Sequence, residues 1–165
     1  MVHLPVDQLL AAYGRPSQPI LRRPSQWVFG AKMTCLAGEA ETGGAYEFFE
    51  HLVPPGGGPP FHCHQHESEG FYVAQGQFHF QLGDKPYGGS AGQFFVFPKG
   101  VPHLYRNLDK DWGRLFGIVT PAGQEKYFNE IGQLSREAPS DLDAVFEISA
   151  RHGITILTPR SITGE

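Results

Sequence analysis

From Trp27 to Val119 the chain is a succession of short apolar or alternating runs: Trp27–Ala37, Ala45–Val53, Gly70–Ala74, Gln77–Leu82, Gln93–Phe97, His103–Arg106 and Arg114–Val119. Turn-forming residues separate them at Pro54–Pro60, Gly83-Asp84, Gly88–Gly92 and Pro98–Pro102. Such runs predict strands, and a regular series of them predicts an all-β sandwich or barrel. The flanks read differently. Residues 1–26 hold four prolines (Pro5, Pro16, Pro19, Pro24) and no sustained period, which predicts an irregular N-terminal arm. Within Pro121–Leu134, Tyr127, Phe128 and Ile131 fall at helical spacing, with Pro121 suited to the first turn. Leu142, Val145, Phe146 and Ser149 share a second helical stripe, with Ser140 as its N-cap and Gly153 as its stop. Ile154–Leu157 reads as one last strand. The expected organisation is an arm (1–26), a β-barrel (27–120) and a C-terminal helical segment (121–165) packing on the barrel.

Composition narrows this picture. At 165 residues the chain is one domain. Gly 21 and Pro 14 make up about a fifth of it, and charged residues only 18% against a usual value of roughly 25%. That balance excludes a helical bundle and suits strands joined by tight turns. A net charge of −4 offers nothing to a phosphate backbone, so no nucleic-acid partner is expected. No apolar stretch approaches the ~18–20 residues that cross a bilayer, so no membrane partner is expected either. Met1–Gly14 lacks a basic leader region, and Pro5 and Asp7 interrupt its apolar run, which argues against a signal peptide and for a cytoplasmic protein. Cys35 and Cys63 make no disulfide framework.

The chemistry lies in the histidines. His62, His64 and His66 fall within five residues, followed by Glu67 and Glu69. Strand side chains alternate, so His62 and His64 share a face and Cys63 takes the other. Two such imidazoles form a bidentate clip for iron, nickel, copper or zinc, and a nearby carboxylate extends the range to manganese. Glu67 and Glu69 both compete for the carboxylate position. The placing of His51 and His79 on their strands is left open by the pattern. Phe48, Phe49, Phe61, Phe71, Phe78, Phe80, Phe94, Phe95 and Phe97 crowd the same region, and those facing inward would give an apolar pocket. By strand parity with Glu69, Phe71 and Val73 face inward, and by parity with His103, Tyr105 does. His66 is a further candidate at the pocket mouth.

Two longer patterns contain these residues: Gly56-x5-His62-x-His64-x4-Glu69-x6-Gly76 and Gly92-x5-Pro98-x-Gly100-x2-His103-x3-Asn107, with 15 residues between them. Together they resemble the two signature motifs of the cupin superfamily, over roughly Ala45–Thr120. The resemblance implies a double-sheet jelly roll. It also implies one divalent transition metal (Fe, Mn, Ni, Co or Zn) held by His62, His64, Glu69 and His103, with Glu69 preferred to Glu67 because it fits the spacing to Gly76.

Among cupins the chain is similar to small proteins related to quercetin 2,3-dioxygenase, through Gly58-Pro59-Pro60-x-His62-x-His64, Glu69-x-Phe71-Tyr72-Val73, Pro121-x5-Tyr127-Phe128 and Ala150-Arg151-His152-Gly153-Ile154. That likeness implies a dioxygenase acting on a small aromatic or enolic substrate with O2, Glu69 serving as general base as well as ligand. Two other classes stay open: a non-oxidative isomerase, cyclase, lyase or decarboxylase on the same metal, and a ligand-binding barrel without turnover. A homodimer is expected, with the arm and its apolar junction (Ile20, Leu21, Trp27, Phe29) covering an edge strand.

Overall fold

Two antiparallel sheets face each other in the computed structural model, which describes residues 23–134 and 141–157. The strands are β1 (Gln26–Val28), β2 (Ala31–Ala37), β3 (Glu47–Val53), β4 (His62–His64), β5 (Ser68–Gln75), β6 (Gln77–Leu82), β7 (Lys85–Ser90), β8 (Phe94–Phe97), β9 (His103–Asn107), β10 (Gly113–Thr120) and β11 (Ile154–Ile156). One sheet runs β1-β2-β3-β10-β5-β8 and the other β11-β4-β9-β6-β7. Each turn between β4 and β5, and between β8 and β9, carries the chain from one sheet to the other, which is the jelly-roll arrangement expected from the sequence. Among the described residues three helices accompany them: α1 (Glu39–Thr42), α2 (Gln124–Gly132) and α3 (Leu142–Arg151). None is long and apolar enough to cross a membrane.

The core fills the space between the sheets. Phe49 and Val53 on β3, Phe71 and Val73 on β5, Phe78 and Phe80 on β6, and Leu115 and Val119 on β10 are all buried at alternating positions. Alternate residues of the larger sheet point outward, where Phe48 stacks on Phe116 and Tyr72, Phe94 and Val96 remain exposed. The nine barrel phenylalanines therefore divide between a core and an outer surface.

Local chemistry accounts for the departures from the sequence pattern. The run Trp27–Ala37 is two strands, because Phe29 and Gly30 both adopt positive φ (48° and 77°) and fold it into a two-residue hairpin. The segment 85–90, rich in Pro and Gly, is a strand after all. β7 is the last strand of its sheet, and an edge accepts Pro86 because no neighbour needs its missing N–H. Helix α2 begins at Gln124 rather than at Pro121. Asp141 caps α3, its side chain accepting from the Ala144 N–H at 2.9 Å. Ser140, most of the arm (residues 1–22) and residues 158–165 lie outside the described residues.

Candidate metal centre and its cavity

β4 presents His62 and His64 on one side, while Cys63 turns its thiol toward the His64 carbonyl oxygen 3.8 Å away. β4 pairs with β9 so that His103 stands directly across from His62. Glu69 comes from the opposite sheet, on β5 between Phe97 of β8 and Val119 of β10. The four side chains meet across the gap, each offering one ligand-type atom within 4.8 Å of the others. His62 Nε2 lies 3.0 Å from His64 Nε2, and His103 Nε2 lies 2.9 Å from Glu69 Oε2. His64 Nε2 is 3.5 Å from the same oxygen. No other group of three or more His, Cys, Asp or Glu converges this way among the described residues.

The outward nitrogens fix the tautomers. His62 Nδ1–H donates to the Pro60 carbonyl and His103 Nδ1–H to the Val101 carbonyl, each at 2.9 Å. A carbonyl only accepts, so each neutral ring has its lone pair on Nε2, directed at the shared centre. His64 Nδ1 has no hydrogen-bond partner; behind it, at 3.5 Å, stands an equally unpartnered Glu67 oxygen. Glu67 thus backs a histidine, and Glu69 is the carboxylate at the centre. Inward lone pairs, one carboxylate oxygen and outward nitrogens held by carbonyls are the donor set of a first-row divalent metal.

Electrostatics agree. Burial pushes His62 down to about 3, helped by the neighbouring His103 and His64, so it is a neutral donor at ordinary pH. Burial disfavours charge on Glu69 as well, yet the surrounding His64, His103 and His62 outweigh it and hold the carboxyl well below its usual range. His64 moves the other way: Glu69 and Glu67 overcome its burial and raise it. This anionic pocket with one imidazole inclined to take a proton is a place for positive charge.

The centre forms one wall of a cavity of about 30 Å³, room for a water or two. Phe71 and Tyr105 line it as their parity predicts, together with His51, Met33, Phe128 and Ile156. Val73 shares their face but is fully buried core and does not reach the cavity. His66 is a correction: it is exposed and packs over Gly153, because β4 has already ended and the turn toward β5 carries it outward.

Two glycines make the geometry. Gly58 has φ +142°, and a Cβ there would meet the Tyr105 carbonyl oxygen at 2.0 Å. Only glycine lets the loop pass this close to β9 and deliver Pro59, Pro60 and then His62. At Gly117 a Cβ would meet His51 Nε2 at 2.9 Å and Phe71 at 3.0 Å. The missing side chain makes room for the His51 ring.

His51 is the residue that the sequence pattern left open. It is 3% exposed, and its Nδ1 shares a 3.0 Å hydrogen bond with the Tyr105 hydroxyl while Nε2 has no partner. Burial lowers it to about 4 and lifts the Tyr105 phenol above its ordinary range, so both are neutral. Alternation with buried Phe49 and Val53 signalled its direction, but the doublet Phe48-Phe49 obscured the phase. Helix α2 adds Gln124, Tyr127 and Phe128 to the cavity lining, which its spacing alone did not signal. Buried Glu47 holds that helix by accepting from the Glu125 N–H at 3.0 Å. The Tyr127 hydroxyl hydrogen-bonds Ser149 at 3.2 Å, tying α2 to α3.

Comparison with known proteins supports the same architecture. Residues 49–119 match the cupin domain family. No curated protein matches the chain. KdgF from a Halomonas species is 21% identical, with a TM-score of 0.56 over 63% of this chain and 91% of that one. An RmlC-like cupin from Shewanella frigidimarina is also 21% identical, with a TM-score of 0.56 over 67% and 93%. A predicted oxalate decarboxylase from Thermotoga maritima is 22% identical, with a TM-score of 0.54 over 64% and 96%. The matched segment runs from β3 to β10 and contains all four converging side chains, so over this segment the chain is similar to the cupin domain family and shares its fold.

Proposed function

We propose that the chain is a metal-dependent cupin enzyme, a dioxygenase acting on a small aromatic or enolic substrate with O2. The observation that carries this reading is the convergence of three histidines and Glu69 on the wall of an otherwise apolar cavity. His62, His64, His103 and Glu69 would hold one divalent metal, which supplies Lewis acidity to an enol or phenol oxygen. Four protein ligands, three of them neutral, leave coordination positions free on a six-coordinate ion. Glu69 would take up the substrate's hydroxyl proton at its carboxylate. The Tyr105 hydroxyl, oriented by His51, would hydrogen-bond the substrate oxygen. Phe71, Phe128 and Met33 would exclude water.

The cavity's size shapes the reading. About 30 Å³ admits the reacting oxygen of a substrate but not a flavonol as a whole. That favours a second reading, non-oxidative isomerase, cyclase or lyase chemistry on a small enolisable compound, over a ligand-binding barrel that holds a large molecule.

The experiment is elemental analysis of purified protein followed by assays on enolic and flavonol substrates with and without oxygen. One metal per chain and oxygen-dependent turnover support the dioxygenase; turnover unchanged without oxygen supports the isomerase or lyase. Wild-type metal content in a His62→Ala/His64→Ala variant would remove the site on which both readings rest. A homodimer belongs to the same proposal, supported by the exposed Tyr72, Phe94 and Val96 on the outer face of the larger sheet.

A further inference from the structure

Beside the inner cavity lies a second, larger hollow of about 330 Å³. Phe29, Pro60 and Ile156 line both, so these three side chains form the partition between them. The far wall of the outer groove is α3, whose Leu142 (62% exposed) and Phe146 (38% exposed) face it without covering, while Val145 between them is buried. The stripe expected on this helix therefore splits: Val145 and Ser149 pack inward, and Leu142 and Phe146 are left on the groove.

One charge stands in this apolar setting. Arg106, half-buried, projects from the outer side of β9 and donates from Nη1 to the Gly58 carbonyl oxygen. No carboxylate lies within 4.0 Å of it among the described residues, unlike Arg23, Arg114 and Arg151, which all have one. One acceptor serves a guanidinium with five N–H donors. A cation kept partly out of water with most of its fork unused is complementary to a carboxylate, which such a fork grips through two parallel bonds.

We propose that the groove is the outer subsite of the same binding site, and that it takes an apolar, carboxylate-bearing part of the substrate, with Arg106 on the carboxylate and Leu142 and Phe146 on the apolar body. The reacting end then passes the Phe29 partition into the inner cavity. This rests on the reading of the chain as a small-molecule metal enzyme. It also resolves a mismatch of scale: a chamber of about 30 Å³ beside a groove of about 330 Å³ suits a substrate with a small reactive head and a larger acidic tail.

The test is calorimetric titration of the full-length, metal-loaded protein with 4-phenylbutyrate and with the uncharged 4-phenylbutyramide, the same shape without the charge. The acid is expected to bind about tenfold more tightly than the amide. Arg106→Gln is expected to remove that preference while leaving the amide's affinity unchanged, an outcome that a merely structural role for Arg106 would not give. Leu142→Glu, at an exposed first-turn position where an acidic residue suits a helix, is expected to weaken both ligands by removing a contact to their shared apolar body, and the acid about tenfold more than the amide because the new carboxylate repels it. The His62→Ala/His64→Ala variant is expected to bind the acid as the unaltered chain does. If instead that variant loses the acid and Arg106→Gln keeps it, the carboxylate goes to the metal centre and the groove proposal fails while the metal reading stands. Equal affinity for acid and amide, or no binding of either at 10 mM, also overturns it.

Discussion

Replacing Tyr105 by Phe keeps the ring and its packing and removes one oxygen. That oxygen is the single hydrogen-bond partner of a histidine that is 3% exposed and whose other nitrogen already has none. The substitution therefore deletes a buried hydrogen bond and leaves His51 unsatisfied at both nitrogens. No apolar area is lost, so the cost is the polar one. A buried group stripped of its partner costs about 1–3 kcal/mol, and the middle of that range, about 2 kcal/mol, is the expectation here. For a chain of this size that lowers Tm by about 4–8 °C.

Thermal and urea unfolding of metal-free protein measure it directly, without any contribution from the centre. The cycle with His51→Leu sharpens the test. Once the imidazole is gone, Tyr105→Phe should cost less than it does in the unaltered chain, the difference being the coupling. A Tyr105→Phe protein within about 0.5 kcal/mol of the parent, or the same cost in both backgrounds, would refute the argument that this pair is mutually dependent.

Other consequences follow from the same geometry. His51 is lowered to about 4 and His62 to about 3 from an unfolded value near 6.5, so between those values the unfolded chain binds more protons. Metal-free protein should accordingly lose stability as pH falls from about 6.5 toward 4, and His51→Leu should flatten that slope by up to one proton; a slope identical to the parent's counts against a neutral buried His51. Metal affinity should fall as pH drops, because Glu69 and Glu67 raise His64 and a proton there competes with the metal, and an affinity independent of pH would speak against His64 as a ligand. Glu69→Gln, compared at full metal loading, should lose at least ~100-fold in kcat if Glu69 is a base, whereas near-parental kcat leaves it a ligand. Light scattering at micromolar concentration should give the mass of two chains, and Phe94→Asp with Val96→Asp should give that of one if the outer sheet face is the contact; one chain from the parent sinks the dimer.

The parts legible in the sequence are those set by local rules. Alternation along β3, β5, β6 and β10 marked the strands, and the two-residue period put His62 and His64 on one face before any tertiary contact was known. Spacing also separated Glu69 from Glu67, although the pattern alone left both open; what decides it is that β5 begins at Ser68, which turns Glu69 inward and leaves Glu67 behind His64. Where local rules conflicted with an unusual context, they failed. Pro86, Gly88 and Gly89 disguised an edge strand, and Phe29 adopts a left-handed conformation that a bulky side chain seldom takes.

The cavity beside the candidate centre was the least legible part, and the reason is geometric. All four residues of the candidate centre lie within 42 positions of one another on the paired strands β4, β9 and the facing β5, so motif spacing suffices to find them. The walls around them come from far apart: Phe29 from the first hairpin, Phe128 from α2, Ile156 from the last strand. These positions carry ordinary apolar residues whose spacing contains no hint that they meet. Their meeting depends on β11 pairing beside β4 and on Glu47 pinning the start of α2, both long-range events. On the proposed function, reaction chemistry would be shared by chains that keep the ligand pattern, while the choice of substrate would rest on the arm junction and the tail, which lie outside the matched segment 49–119. Exchanging Phe29 or Leu142 should accordingly change which compounds bind and leave the metal content unchanged.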